Sequence, residues 1–204
     1  ETSLPDMQQF PLDLEGALPE ASTAAGGNVS IAATSANNLA DGLSLPPRGS
    51  IDGQQARTSI FGAEGVGSKF VYVFDRSASM NGYQGRPLNA AKSELGASLE
   101  DLDKVHQFQI IFYNEKPTVF NPFHPEPPRM LFGDEVTKRR AQNFVRGIVA
   151  AGGTQHTAAL HMALDMAPDV IFFLTDVAEP QLTQSQLLEI QRRNNRLGAA
   201  IHAI

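Results

Sequence analysis

Lys69-Phe-Val-Tyr-Val-Phe-Asp75-Arg-Ser77-Ala-Ser79-Met80 is the stretch on which the fold turns. Phe70 to Phe74 is an unbroken run of aromatic and β-branched residues. A short apolar run without polar alternation reads as a strand buried on both faces, as in a parallel sheet. It stops at Asp75, and from there every second residue carries an oxygen: the Asp75 carboxylate, then the Ser77 and Ser79 hydroxyls. Oxygen donors with one negative charge suit a hard cation such as magnesium or manganese, whereas zinc prefers nitrogen and sulfur. The same string also reads as an Asx or Ser turn capping the next helix. Other segments of the chain must decide between the two.

The chain has 204 residues, 42% hydrophobic and 19% charged, which allows one sizeable core. Its net charge of −6 disfavours nucleic acid or an anionic membrane surface as the main partner, since both need a concentrated basic face. The basic clusters Lys138-Arg139-Arg140 and Arg192-Arg193 fall in helix-like segments and read as solvated helix faces. Without cysteine there is no disulfide framework and no thiolate metal site. No run reaches the length of a membrane span, and no signal-peptide pattern is present. Because the first residue is Glu1 and not Met, the chain is expected to be a processed product or a fragment.

Residues 1–57 are rich in Ala, Gly, Ser, Asn and Pro, with no sustained period, and read as a low-complexity linker or tether. Asn28-Val29-Ser30 matches a glycosylation acceptor, a short pattern of low weight. The folded domain is expected over 58–204. Thr58 to Glu64 reads as a strand, and Gly65 to Ser68 as a turn that folds it back on the central strand as an antiparallel hairpin.

Pro87 suits the first turn of a helix whose apolar positions are Leu88, Ala91, Leu95, Leu99 and Leu102. Phe108 to Tyr113 is a second buried strand, and Thr118 to Phe120 a short third one. The proline-rich 121–129 stretch must run on the surface. A helix over about 134–150 would pack through Val136, Phe144, Val145 and Ile148. Gly152-Gly153-Thr154 breaks it, and a short helix follows over 158–166. Asp169 to Asp176 is another buried strand ending in an aspartate. Thr183 to Leu197 is a polar helix, and Ala199 to Ile204 a last strand. Strands alternating with helices predict an α/β fold: a three-layer, doubly wound, mostly parallel sheet with helices on both faces. Ligands of such sheets collect beyond the carboxyl ends of the strands, where Asp75 and Asp176 are both expected.

With these residues in place, the chain resembles the von Willebrand factor A domain family. That family carries a metal-ion-dependent adhesion site built by three loops. Asp75, Ser77 and Ser79 match its Asp-x-Ser-x-Ser loop, Thr154 its second-loop threonine after glycines, and Asp176 its third-loop aspartate. The resemblance covers about 58–204 and implies a Rossmann-like sheet with Mg2+, Mn2+ or Ca2+ held by those five side chains. It further implies a protein partner offering an acidic side chain to the ion, with Gly153, His156 and Met80 at the rim, and no catalysis. The wording from Phe61 to Asp75 is similar to bacterial members tethered at the cell envelope. That favours the extracytoplasmic side, with a cytoplasmic protein as the alternative. Two departures stand out. Val177 occupies the place of a usual glycine, and the family's last helix and edge strand would lie beyond Ile204.

Competing classes are a scaffold of the same fold with a vestigial site and a phosphatase-like hydrolase. The phosphatase needs an aspartate where this chain has Ser77. No phosphate-binding loop and no nucleophile elbow is present, so nucleotide and serine-hydrolase chemistry lack support. Outside the rim, His156 reads as a solvent-exposed loop histidine, and His161 with Asp165 as a surface pair four residues apart.

Overall fold

The computed structural model describes residues 49–50, 54–176 and 181–204. All belong to the compact unit Leu45–Ile204. Most of the expected linker, with Asn28, lies outside the described residues, and so does Val177.

A parallel core forms from β4 (Lys69–Asp75), β5 (Gln107–Tyr113), β8 (Val170–Leu174) and β9 (Ala200–Ala203), in the order β5-β4-β8-β9. Two short antiparallel strands, β6 (Pro117–Val119) and β7 (Leu131–Phe132), both pair with β5. The apolar runs are where the sequence places them, and β4 has a paired neighbour on each edge.

Each face of this sheet is covered. Phe70, Tyr72 and Phe74 share a cluster with Leu88, Ala91, Leu95 and Leu99 of α1 (Gly82–Glu100) and with Ala141 and Val145 of α2 (Glu135–Gly147). Val71 and Val73 pack on the other side with Ala159, Leu160, Ala163 and Leu164 of α3 (His156–Asp165) and Ile190 of α4 (Gln184–Asn194). Alternation along one strand thus feeds two cores, the predicted three-layer arrangement. Among the described residues no helix is long and apolar enough to cross a membrane.

The entry to β4 differs from expectation. β2 (Ala56–Ile60) pairs with β3 (Ala63–Gly67), not with β4, and the hairpin turns at Phe61 and Gly62. With β1 (Gly49–Ser50) they make a separate three-stranded sheet. Gly65 and Gly67, expected in a turn, lie inside β3. A Cβ on Gly65 would sit 2.7 Å from Val170 Cγ1, and one on Gly67 2.7 Å from Asp169 Cβ. Glycine at these positions serves close approach of β3 to the start of β8. Thr58 ties the hairpin to α1 through Ser98 Oγ at 2.6 Å and Asp101 Oδ2 at 2.7 Å.

Two corrections concern α2. Val136 is half exposed, while Lys138 is buried on the core-facing stripe with Ala141 and Val145. The lysine stem packs inward, and its Nζ reaches the Leu102 carbonyl at 3.1 Å and Glu135 at 3.0 Å. The expected pair of His161 with Asp165 is also replaced. His161 faces Glu189, and Asp165 meets Arg193, so both side chains tie α3 to α4.

Asp169 holds the start of β4. Its Oδ2 accepts from Ser68 N at 2.7 Å, Ser68 Oγ at 2.8 Å and Lys69 N at 3.0 Å. Partial burial pushes this carboxyl up, but the hydrogen bonds from Ser68 and Lys69 outweigh it, leaving it below the usual range. A lowered folded-state value means stabilisation present above the unfolded value and lost as pH falls through the folded one. Asp169→Asn should therefore lower the melting temperature at pH 7 by about 2 °C or less, since solvent screens this exposed carboxylate. The gap between variant and parent should close as the pH drops below the aspartate range, which a pH series of thermal melts would read.

Candidate metal centre

Parallel pairing of β4 with β8 sets Phe74 opposite Leu174, so both strands deliver their following residues to one edge. Asp75 is the last residue of β4 and is fully buried. Asp176 is not the end of its strand, as expected, but lies two residues past Leu174 and is half-buried. The intervening Thr175 donates its N–H to the Ile204 carbonyl at 3.1 Å, and its hydroxyl lies 3.5 Å from Asp75 Oδ2.

The first loop folds on the Asp75 carboxylate. Ser77 N–H donates to Asp75 Oδ1 at 2.7 Å. The Ser77 and Ser79 hydroxyls lie 2.9 Å apart, the first buried and the second exposed. A short 3-10 turn over Ala78–Asn81 follows, and the Ser77 side chain makes no capping hydrogen bond to it. The alternative reading holds in part: the Ser77 N–H to Asp75 Oδ1 bond is an Asx turn, but the Ser77 side chain caps no helix. Beyond this turn, Tyr83, Gln84 and Gly85 all take positive φ before α1 becomes regular, and Tyr83 projects 85% exposed.

The second loop is laced to the first through backbone. Ala78 N–H donates to the Gly152 carbonyl, and Ala151 N–H to the Arg76 carbonyl, both at 2.9 Å. Gly152 has φ of 78°, and a Cβ there would sit 2.9 Å from Asn114 Nδ2, so the position requires glycine. Thr154 is half-buried between Gly153, whose N–H donates to Glu115 Oε1 at 3.1 Å, and Gln155, whose N–H donates to the Asn114 carbonyl at 2.8 Å.

Of the expected rim, Gly153 is exposed. Met80 is not on the rim: it is 2% exposed, inside the core under α1 and α2. His156 is neither a rim group nor an exposed loop histidine. It opens α3, is 7% exposed, and places Nδ1 3.0 Å from the Tyr113 hydroxyl, edge-on to Tyr113 and Phe173. Packing accounts for each: Met80 joins the core under α1 and α2, and His156 lies against Tyr113 and Phe173.

Tyr113 is the polar group that the sequence reading missed. It sits opposite Asp75 in the β4–β5 register, stacks on Phe173, and donates its hydroxyl to the Leu174 carbonyl at 3.3 Å. A tyrosine closing an apolar strand at the edge of the aspartates was the available signal, since a buried hydroxyl needs a partner. Burial pushes the Tyr113 hydroxyl far above its usual range, and the Asp75 charge adds to the rise.

Burial likewise raises the Asp75 carboxyl. Hydrogen bonding by Ser77 pulls it down, the negative charge of Asp176 pushes it up again, and His156 lowers it. The negative charge of Asp176 thus acts on Asp75 across the edge of the sheet. The donors of the first loop, together with Thr154 and Asp176, are oxygens only, which fits a hard dication. Among the described residues no cluster of three or more His, Cys, Asp or Glu surrounds a single point; a set of carboxylates and hydroxyls does not depend on one.

A carboxyl raised in the folded state costs stability as pH climbs through its raised value. In metal-free protein, Asp75→Asn should therefore raise the melting temperature at neutral pH. The gain should fade as the pH falls below the ordinary aspartate range, where the parent carboxyl is neutral in both states. Paired melts in chelator across pH 3–8 would check the sign.

Comparison with known proteins bears on the fold and the family. The model of the von Willebrand factor type A domain matches residues 70–179. Among solved structures, a von Willebrand factor type A protein from Catenulispora acidiphila aligns with TM-score 0.55 at 22% identity, over 69% of this chain and 33% of its own. The conserved hypothetical protein BatB from Bacteroides thetaiotaomicron aligns with TM-score 0.52 at 17% identity, over 67% and 65%. Proximal thread matrix protein 1 from the mussel byssus aligns with TM-score 0.51 at 14% identity, over 67% and 36%. The chain thus spans from one third to just under two thirds of these proteins. At such identities the likeness is one of fold. No curated protein matches the sequence.

Proposed function

Since the chain belongs to the von Willebrand factor type A domain family, we propose that it is a protein-binding module whose contact with its partner depends on a divalent cation. One observation carries this reading. The buried Asp75 ends the central strand with its Oδ1 fixed by Ser77, beside paired serine hydroxyls and within the electrostatic reach of Asp176.

Asp75, Ser77, Ser79, Thr154 and Asp176 would hold the ion, with Mg2+ the cation of choice and Mn2+ or Ca2+ as substitutes. When bound, the cation supplies a Lewis-acidic site able to accept a carboxylate oxygen from a partner. Neutral hydroxyls from Ser77, Ser79 and Thr154 would leave much of its charge uncompensated, which favours an acidic group on the incoming protein. Asp75 anchors the set: its burial removes competing water, and the Ser77 N–H fixes its orientation. Ser79 is solvent-exposed and so open to an incoming group. The oxygens of the described residues suit holding an ion, and we infer a binding role rather than a catalytic one. Adhesion and complex assembly are the processes such a contact serves.

The test is a magnesium titration of chelator-treated protein, followed by calorimetry and thermal melting. Binding only the folded state should stabilise by about 2.7 kcal/mol at a hundredfold excess over Kd, read as a rise of several degrees. Asp75→Ala and Asp176→Ala should abolish both the heat and the rise. Parent protein that gives neither would leave only the scaffold reading, a domain of this fold whose site is vestigial.

A further inference from the structure

The β5–β6 turn belongs to none of the three site loops, yet it grips the second one. Asn114 Nδ2 donates to the Ala151 carbonyl at 2.7 Å, and the Asn114 carbonyl accepts from Gln155 N–H at 2.8 Å. Between these points Glu115 Oε1 accepts from Gly153 N–H at 3.1 Å. The amides on either side of Thr154 are thus both committed to this turn. The approach is close: a Cβ on Gly153 would sit 3.3 Å from Glu115 Oε1, and one on Gly152 would meet Asn114. Asn114 also braces its own turn, its Oδ1 accepting from Lys116 N–H at 3.2 Å. The turn is tied to the rest of the site by β5 itself, since the Tyr113 carbonyl accepts from Arg76 N–H at 2.7 Å.

We propose that Asn114 and Glu115 are positioning residues of the metal centre, which set where Thr154 presents its hydroxyl by holding the backbone on both sides of it. What Glu115 meets is a backbone N–H, so a neutral acceptor oxygen at the same place should serve as well. This inference rests on the metal-dependent reading above and deepens it: affinity for the cation is set in part by a turn that contributes no ligand.

Glu115 is solvent-exposed, so its replacement should leave the fold intact. Magnesium is titrated by calorimetry into chelator-treated parent, Glu115→Ala, Glu115→Gln and Asn114→Asp. Amide exchange at Gly153 and Gln155 is followed by NMR in the metal-free proteins. Glu115→Ala should weaken magnesium about tenfold, in line with the effect of groups that orient ligands, and should speed exchange at Gly153. Glu115→Gln keeps an acceptor and should stay within about twofold of the parent on both readings. Asn114→Asp keeps the acceptor for Lys116 but loses the donor to Ala151, and should weaken magnesium at least as much as Glu115→Ala. Equal magnesium affinity in parent and Glu115→Ala would overturn the proposal while leaving the metal site standing. So would Glu115→Gln as weak as Glu115→Ala, which would make the charge responsible. Parent protein that takes up no magnesium would sink the metal reading itself, and this role with it.

Discussion

The burial of β4 on both faces and both edges is the constraint from which the rest follows. Every side chain from Phe70 to Phe74 is fully buried, each contributing on the order of 1.5–3 kcal/mol. With neighbours on both edges, the strand cannot slip or rotate without emptying two cores at once. A charged residue at its last position is therefore held at a fixed place and in a fixed direction. That residue is Asp75, and the low-dielectric wall behind it is the strand's own core. The carboxylate is costly to keep charged there, which is why it collects the Ser77 N–H on one oxygen and lies near the Thr175 hydroxyl on the other.

Around this fixed point the loops are joined mainly through backbone. Arg76 and Ala78 exchange hydrogen bonds with Ala151 and Gly152, and the β5–β6 turn carries the far side of the second loop. Backbone lacing fixes the frame independently of exposed side chains such as Tyr83. Under the loops, Tyr113 links three elements by accepting or donating at His156 and Leu174 while stacking on Phe173. The left-handed backbone at Tyr83 and Gln84 costs energy for residues other than glycine. It is placed where the chain must turn sharply from the first loop into α1.

The α2 helix shows how this core treats a polar residue that falls on its apolar stripe. Lys138 keeps its position in the helical period, packs its stem inward, and carries its ammonium to Leu102, Glu135 and Glu100. Val136, one step off that stripe, is left in solvent. Phase along the helix outranked residue type, because the neighbours at Ala141 and Val145 had already fixed which face was buried.

Local pattern determined the strands of the parallel core, the helices and the layer order. Apolar runs of strand length and leucine spacing of helical period are properties of the chain alone, and they point to one architecture. The same pattern named the aspartates and serines, because a polar oxygen at the end of a buried strand is visible in the string. Partners across space were decided only by the tertiary structure. Whether Gly65 and Gly67 turn the chain or let it pass close to Val170 depends on what lies opposite them. Likewise, Met80 in its short turn and His156 at the start of α3 are next to polar loops yet buried by what distant segments place against them. The grip of Asn114 and Glu115 on the Thr154 loop spans some forty residues of chain. A sequence records which residues prefer burial or a hydrogen bond, but distance between segments is set by packing.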